Sequence, residues 1–257
     1  MRNEFAGKSA LVTGGAGGFG RGCALELARG GAAVTLMGRT SASLERSRER
    51  ILDAVPDASI ELYTGDATKA SDVEAALDAA TAHAGAIDVV IGTVGGGSYV
   101  SVVELGLADF MNDLLVNVGT AMLAVSLATP RMAPGGSFVF ISSTAAQLSF
   151  PRLSAYCAGK AALDHFVRVA ADELGPRGIR VNTVRPGLTA TDGLQAALSR
   201  PGYVDGFTPL IPLGRIGQPE DIVRTVAFLA GPSAAWITGQ SIAVDGGNEL
   251  RGAPHPA

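Results

Sequence analysis

Tyr156 and Lys160 stand four residues apart in Tyr156-Cys157-Ala158-Gly159-Lys160. Residues at that spacing share one face of a helix, so the phenol and the ammonium point into one site. An ammonium beside a phenol favours the phenolate, as any opposite charge does. A phenol that ordinarily titrates at about 10 then exchanges protons nearer neutrality. Taken alone, the pair reads better as an exposed helix pair. Ser143, in Ile141-Ser142-Ser143, closes an apolar run thirteen residues earlier. Its hydroxyl is suited to hold a carbonyl for attack.

A second constellation opens the chain. The run Ser9 to Thr13 leads into Thr13-Gly14-Gly15-Ala16-Gly17-Gly18-Phe19-Gly20 and then a helical pattern. Glycines there allow a tight turn and a close approach of a pyrophosphate to the backbone. The following helix start offers unpaired N–H groups and a positive dipole end. Glycine turns also hold flavins or S-adenosylmethionine, or merely connect elements. At the end of the next apolar run the chain reads Met37-Gly38-Arg39-Thr40-Ser41, with no carboxylate before Glu45. A carboxylate there would grip a ribose 2′-hydroxyl, whereas Arg39 can face a 2′-phosphate. The plain alternative is a solvated loop arginine. Asp66 is placed to accept from an adenine amine or, as readily, to cap a turn.

The elements that must position these groups alternate. Strands are expected at Ser9 to Thr13, Ala33 to Met37, Ile60 to Tyr63, Ile87 to Ile91, Ser137 to Ile141, Arg180 to Val184 and Ser241 to Val244. Helical patterns fall at Gly18 to Gly30, Ser41 to Val55, Asp72 to His83 with Ser71 as cap, Leu105 to Pro130, Ala155 to Leu174 and Pro219 to Leu229. Strands alternating with helices predict an α/β fold, a single doubly wound parallel sheet of Rossmann-like type with helices on both faces. Sites in such sheets lie at the carboxyl ends of the strands, which gathers the glycine turn, Ser143 and Tyr156. No linker or repeat divides the chain, so 1–257 reads as one domain with a frayed tail over 251–257.

Composition narrows the function classes. Apolar residues make up 47%, charged residues 17%, and the formal charge is −4. Disorder needs the reverse balance, and a mildly acidic surface does not attract phosphate backbones, so no nucleic-acid partner is expected. The 34 glycines are close to double the ~7% typical of proteins. Two cysteines, Cys23 and Cys157, make no disulfide framework and read as buried apolar groups. The charge-free stretches 132–151 and 225–244 are broken by Gly and Pro, so no membrane span is expected. The amino terminus lacks a long apolar core, and a cytoplasmic location is the default. His83, His165 and His255 are scattered and form no metal site.

With these pieces in order, the chain resembles the short-chain dehydrogenase/reductase family from Lys8 to about Asn248. The resemblance rests on Thr13-Gly14 with Gly18 and Gly20, Asp66, Asn117, Ser143, Tyr156, Lys160, Pro186-Gly187 with Thr191, Thr238-Gly239-Gln240, and Val244-Asp245-Gly246-Gly247. It implies an oxidoreductase passing hydride between a nicotinamide dinucleotide and a carbonyl or secondary alcohol. Tyr156 would be the general acid/base, and Lys160 would bond the nicotinamide ribose and lower the Tyr156 pKa. Ser143 would polarise the carbonyl, and Asn117 would hold a water joining Lys160 to solvent. Gly14, Gly18, Phe19 and Gly20 would cradle the pyrophosphate. Arg39 and Thr40 would meet the 2′-phosphate, Asp66 and Ala67 the adenine, and the Gly92 backbone the ribose. Pro186, Gly187, Thr189 and Thr191 would hold the nicotinamide. NADP(H) is favoured, with NAD(H) as the alternative.

The resemblance has gaps. Gly92-Thr93-Val94-Gly95 stands where the family often has Asn-Asn-Ala-Gly, so the side-chain bonds bracing the sheet are expected to be missing. Thr189 replaces a usual aliphatic residue. The segment 192–211 carries Leu194, Leu198, Tyr203, Val204, Phe207, Leu210 and Ile211. It is expected to form a lid over a hydrophobic ketone, steroid or 3-oxoacyl thioester, or else to pack on the core. The resemblance also implies a homotetramer, supported in sequence only by apolar faces such as Leu163, Phe166 and Val167, which could equally be buried inside one subunit. Two other classes remain open: a cofactor-binding regulatory protein with little turnover, and an S-adenosylmethionine-dependent transferase.

Overall fold

The computed structural model describes residues 3–252. Seven strands form one parallel sheet in the order β3-β2-β1-β4-β5-β6-β7. They are β1 (Ser9–Thr13), β2 (Ala33–Gly38), β3 (Ile60–Thr64), β4 (Ile87–Gly92), β5 (Met132–Ile141), β6 (Arg180–Pro186) and β7 (Ser241–Val244). The chain runs outward from β1 to β3, returns to β4 beside β1, and then continues the other way. This reversal opens a crevice between the carboxyl ends of β1 and β4.

The two faces of the sheet are covered by different helices, and the period-two alternation of the strands explains why. Ala10, Val12, Val34, Leu36, Val89 and Ile91 point to one face. There they meet Cys23 and Leu27 of α1 (Gly18–Arg29), Leu44 and Ile51 of α2 (Ser41–Ala54), and Ile222 and Val226 of the helix Pro219–Ala230. Leu11, Met37, Val90, Phe138 and Phe140 point the other way. They pack on Val73 and Leu77 of α3 (Ala70–Ala84) and on Ala121 and Ala124 of a helix carrying α4 (Leu107–Leu114) and α5 (Thr120–Ala128). Leu163 and Val167 of α6 (Ser154–Leu174) complete this layer. Leu163 and Val167 are thus buried within the subunit and Phe166 packs partly against them, so these residues are not a surface for a second copy.

Several boundaries differ from expectation for local reasons. The cap of α3 is Lys69, with no side-chain bond. Ser71 lies inside the first turn, where Asp72 Oδ2 instead accepts from the Asp66 N–H at 2.9 Å. β5 begins at Met132 because Ile87 pairs with Met132, and the register then shifts before Val89 meets Ser137. Between α4 and α5 the backbone loosens into a π turn over Leu115–Gly119. The whole run Leu107–Arg131 is long and apolar enough to cross a membrane by length and composition, a stretch the sequence reading passed over. Here it is a covering helix, with Ala121, Ala124 and Ala128 in the core. Of the expected frayed tail, Arg251 and Gly252 are tied down. Arg251 Nη1 donates to the Pro209 carbonyl at 2.9 Å and Asn248 Nδ2 to the Gly252 carbonyl at 2.8 Å. Residues 253–257 lie outside the described residues.

After β6 the segment 192–211 folds as short helical turns, among them α7 (Gln195–Leu198) and α8 (Tyr203–Phe207), before α9 (Pro219–Ala230). Ile211 is buried, whereas Leu194, Tyr203 and Phe207 face a cavity. Part of the segment thus packs on the core and part lines the cavity.

Candidate active site

The cavity lies at the carboxyl ends of the strands and measures about 540 Å³. β1 feeds its floor. Gly14 has a φ of 75°, in the left-handed region, and a Cβ there would strike Thr93 Oγ1. A Cβ on Gly20 would strike the Gly14 carbonyl oxygen. The glycines are therefore required by contact as well as by turn geometry. α1 starts at Gly18 with no side-chain cap and no acidic residue in its first turn. Its leading N–H groups have no partner within the helix and open where Gly14, Gly18, Phe19 and Gly20 line the cavity. This cradle fits a pyrophosphate.

α6 supplies the next group. Lys160 is 2% exposed, and its Nζ donates to the Ile141 carbonyl at the end of β5 at 2.7 Å. The ammonium lies 5.8 Å from the centroid of the Tyr156 ring. Burial pulls the Lys160 pKa down to about 8, against an upward pull from Asp164. The Tyr156 phenol moves the other way from expectation. Burial pushes its pKa up, a hydrogen bond with Ser143 lowers it, and Cys157 raises it slightly. Lys160 Nζ is directed at Ile141, and desolvation of the phenol dominates. In the absence of other ligands, Tyr156 is a neutral acid. Ser143 stands before a 3₁₀ turn and its Oγ accepts from the Ala145 N–H at 3.1 Å. Its own proton remains free to bond Tyr156 or a bound oxygen.

Asn117 sits in the π turn, 1% exposed. Its Nδ2 donates to the Gly96 carbonyl at 2.6 Å and to the Asp113 carbonyl at 2.8 Å, and its Oδ1 accepts from the Gly96 N–H at 3.3 Å. The side chain is an interior amide satisfied by its neighbours. It fastens the loop Gly95-Gly96-Gly97 over α6. The loop passes close there: a Cβ on Gly95 would lie 2.8 Å from Lys160 Nζ and 3.1 Å from Asn117 Oδ1 and would displace these side-chain ends.

Thr93 corrects one expectation. Its Oγ1 donates to the Thr13 carbonyl at 2.8 Å, and its N–H reaches the same oxygen at 3.1 Å. The β1–β4 junction is therefore braced by a side chain. Gly92 is set by packing instead, since a Cβ there would run into the Phe140 ring.

Arg39, Thr40, Asp66 and Ala67 lie beyond the cavity wall, at the ends of β2 and β3. Gly15 N–H bonds the Met37 carbonyl and Gly65 N–H the Gly38 carbonyl, each at 3.0 Å, so these ends flank the glycine turn. Arg39 and Thr40 are exposed. Asp66 forms a turn, with its Oδ1 accepting from Thr68 N–H at 3.0 Å and Thr68 Oγ1 at 2.8 Å. These bonds lower its pKa, and Arg39 adds to the lowering. The turn-capping role is thus realised, within electrostatic reach of Arg39. Ala67 is buried.

Pro186, Gly187, Thr189 and Thr191 line the opposite wall. Thr189 is buried and donates to the Gly187 carbonyl at 2.9 Å, which satisfies the unexpected hydroxyl. Thr191 comes closest to the start of α1, at 3.8 Å from a Cβ placed on Gly18. Phe150, Leu153 and Leu188 also line the cavity and were missed from sequence. The signal was present in their nearness to Tyr156 and Pro186-Gly187. Among the described residues no group of three or more His, Cys, Asp or Glu is placed to hold a metal; His255 lies outside them.

Comparison with known proteins decides the family. A family model described as enoyl-(acyl carrier protein) reductase matches residues 14–249. A short-chain type dehydrogenase/reductase structure from Mycobacterium ulcerans superposes with a TM-score of 0.93 at 34% identity, covering 98% of this chain and 93% of that one. The chain belongs to the short-chain dehydrogenase/reductase family. A hydroxynaphthalene reductase-like protein of Metarhizium brunneum is 33% identical over 95% of this chain and 96% of its own. The 7alpha-hydroxysteroid dehydrogenase of Escherichia coli is 30% identical over 94% of each. As a short-chain dehydrogenase/reductase the chain is an oxidoreductase, and the single doubly wound sheet is its family fold.

Proposed function

We propose that this chain transfers hydride between NADP(H) and the carbonyl or carbinol carbon of an uncharged, hydrophobic ketone or secondary alcohol. The observation that carries this is the convergence of Ser143, Tyr156 and Lys160 on one cavity that is continuous with the glycine turn. A bound nicotinamide dinucleotide supplies the hydride. Gly14, Gly18, Phe19 and Gly20 hold its phosphates, and Arg39 and Thr40 take the 2′-phosphate. Asp66, Ala67 and the Gly92 backbone flank the adenosine. Pro186, Gly187, Thr189 and Thr191 hold the nicotinamide end, and Lys160 binds its ribose.

On the substrate side, Ser143 directs its O–H to the carbonyl oxygen and Tyr156 delivers a proton to the same oxygen as it becomes an alkoxide. The raised phenol pKa suits this direction, since a neutral phenol is ready to donate. Asn117 acts by fastening Gly96, which keeps the loop closed on Lys160. Phe150, Leu153, Leu194, Tyr203 and Phe207 form an apolar end, and Lys160 is the one cation among the lining residues. Such a wall favours flat or aliphatic ketones over phosphorylated carriers. The named activities of the hydroxynaphthalene and hydroxysteroid relatives point the same way. The segment 192–211 is the lid.

The test is a panel of cyclic and aromatic ketones and 3-oxoacyl thioesters, assayed with NADPH and NADH, with Tyr156→Phe as control. Turnover of a ketone by wild type, lost in Tyr156→Phe with cofactor binding retained, supports the reading. If the variant keeps more than about a tenth of wild-type turnover, Tyr156 is not the acid.

A further inference from the structure

Tyr156, Lys160 and Asp164 occupy successive turns of one face of α6. The third of them has no part in the mechanism above, yet it is a carboxylate buried almost as deeply as the lysine, at 6% against 2% exposure. A buried carboxylate is costly unless it is paired. Thr183 Oγ1 donates to Asp164 Oδ1 at 2.9 Å. The other oxygen, Oδ2, has no hydrogen-bond donor and lies 3.8 Å from Arg185 Nη1. Arg185 Nε in turn lies 3.3 Å from Glu249 Oε1, close to the end of the described chain.

We propose that Asp164 is a positioning residue that keeps the Lys160 ammonium charged, at the buried head of an ion chain that runs outward through the partly buried Arg185 to Glu249. The inference rests on the reading of Lys160 as the group that holds the nicotinamide ribose. It explains why an ammonium with a carbonyl as its one hydrogen-bond acceptor remains an ammonium in the cavity wall. Burial alone drives the lysine toward the neutral amine, and the pull of Asp164 opposes it. The strength of that pull is set by how far Arg185 neutralises Asp164. The long 3.8 Å separation leaves the neutralisation incomplete, and Glu249 competes for the same guanidinium. The charged and titratable groups around the pair are Tyr156 and Arg168 on the same helix, Asp113 from α4, Arg185 from β6, and Asp245 and Glu249 from the C-terminal segment.

The chain has three lysines, Lys8, Lys69 and Lys160, which makes the charge on Lys160 directly readable. The cofactor-free protein, labelled with 13C at the lysine ε-carbon, is titrated by NMR, and the Lys160 signal is assigned by its loss in Lys160→Arg. Wild type is expected to titrate at about 8. Asp164→Asn, which retains an acceptor for Thr183, should lower the midpoint, the direction expected when an opposite charge one helical turn away is removed. Arg185→Gln should raise it, because Asp164 is then less neutralised. A purely structural role predicts no such opposite pair. A folded Asp164→Asn chain with an unchanged midpoint overturns the proposal. If Asp164→Asn does not fold, Asp164→Ser, which keeps a hydroxyl for Thr183, decides: a lowered midpoint supports the proposal and an unchanged or raised one overturns it. In the active enzyme, the alkaline fall of kcat/KM for ketone reduction should move with the NMR midpoint. A lowered midpoint in Asp164→Asn of a chain that turns over no ketone would defeat the proposed ketone reaction and leave the role of Asp164 standing.

Discussion

Gly97 lies against Tyr156 so closely that a Cβ on Gly97 would stand 2.6 Å from the tyrosine Cβ. The neighbour is the root of the side chain, fixed by the helix backbone, and cannot swing away as a side-chain tip can. Gly97→Ala must therefore move the loop or shift α6 at the residue read as the acid. Overpacking of this kind costs ~1–3 kcal/mol, and a displacement of the acid by about 1 Å costs roughly a hundredfold in rate. Expected is a modest loss of Tm with a disproportionate loss of kcat. An alanine variant with wild-type kcat would show that the loop yields without disturbing Tyr156.

Thr93 joins the two central strands at the mouth of the crevice. Thr93→Val removes the Oγ1 bond to the Thr13 carbonyl but keeps the shape and the N–H bond to the same oxygen. The stability loss should be ~1 kcal/mol, read from urea unfolding, and Thr93→Ser should restore most of it. Equal stability of Thr93→Val and wild type would mean that the N–H bond suffices.

These two relationships mark where sequence reading stops. Tyr156 and Lys160 were legible because helical periodicity is local, and the strands because each apolar run is bounded by turn residues. The Thr93 brace was not, since the substitution of a usual asparagine by threonine looks like a loss until β1 and β4 are laid side by side. Asp113 was illegible for the same reason. Its Oδ2 accepts from the Ser98 N–H at 2.8 Å across a gap in sequence. The expected lowering of the Tyr156 pKa failed on a different point. Spacing brings an ammonium near a phenol, but only the fold shows that the ammonium is turned to Ile141 and the phenol desolvated. Asp66 as a turn cap was one of two readings that spacing alone could not separate.

A homotetramer is expected to use another helix than the residues first considered. Leu107 and Met111 of α4, Leu115 of the π turn and Met122 of α5 are exposed, and Val169 is exposed on α6. Large apolar side chains in a continuous stripe favour a partner surface. We expect light scattering to give about four times the 26.0 kDa chain mass. The double variant Leu107→Glu/Met111→Glu should lower that mass. A wild-type mass near that of one chain would remove the tetramer.

The cofactor preference turns on Arg39. No carboxylate stands at the end of β2 to repel a 2′-phosphate, and Arg39 and Thr40 are exposed beside the glycine turn. Thr40 precedes α2 without making a side-chain cap bond, which leaves its hydroxyl available as a donor. A charge-assisted contact from the guanidinium contributes ~1.5–3 kcal/mol, so NADP(H) should bind roughly ten- to a hundredfold more tightly than NAD(H). Asp66 tempers this, because its carboxylate lies within electrostatic reach of Arg39 and competes for it. Arg39→Ala is the cleanest probe. Adding Gly38→Asp introduces a Cβ 3.1 Å from Leu44 Cδ2, so the double variant requires the start of α2 to give and should be checked for fold by Tm. Titration of NADPH and NADH by fluorescence into wild type and Arg39→Ala should show the NADPH affinity falling to the NADH level, with NADH nearly unchanged. Equal wild-type affinities, or an Arg39→Ala chain that still prefers NADPH, would identify Arg39 as a solvated loop charge.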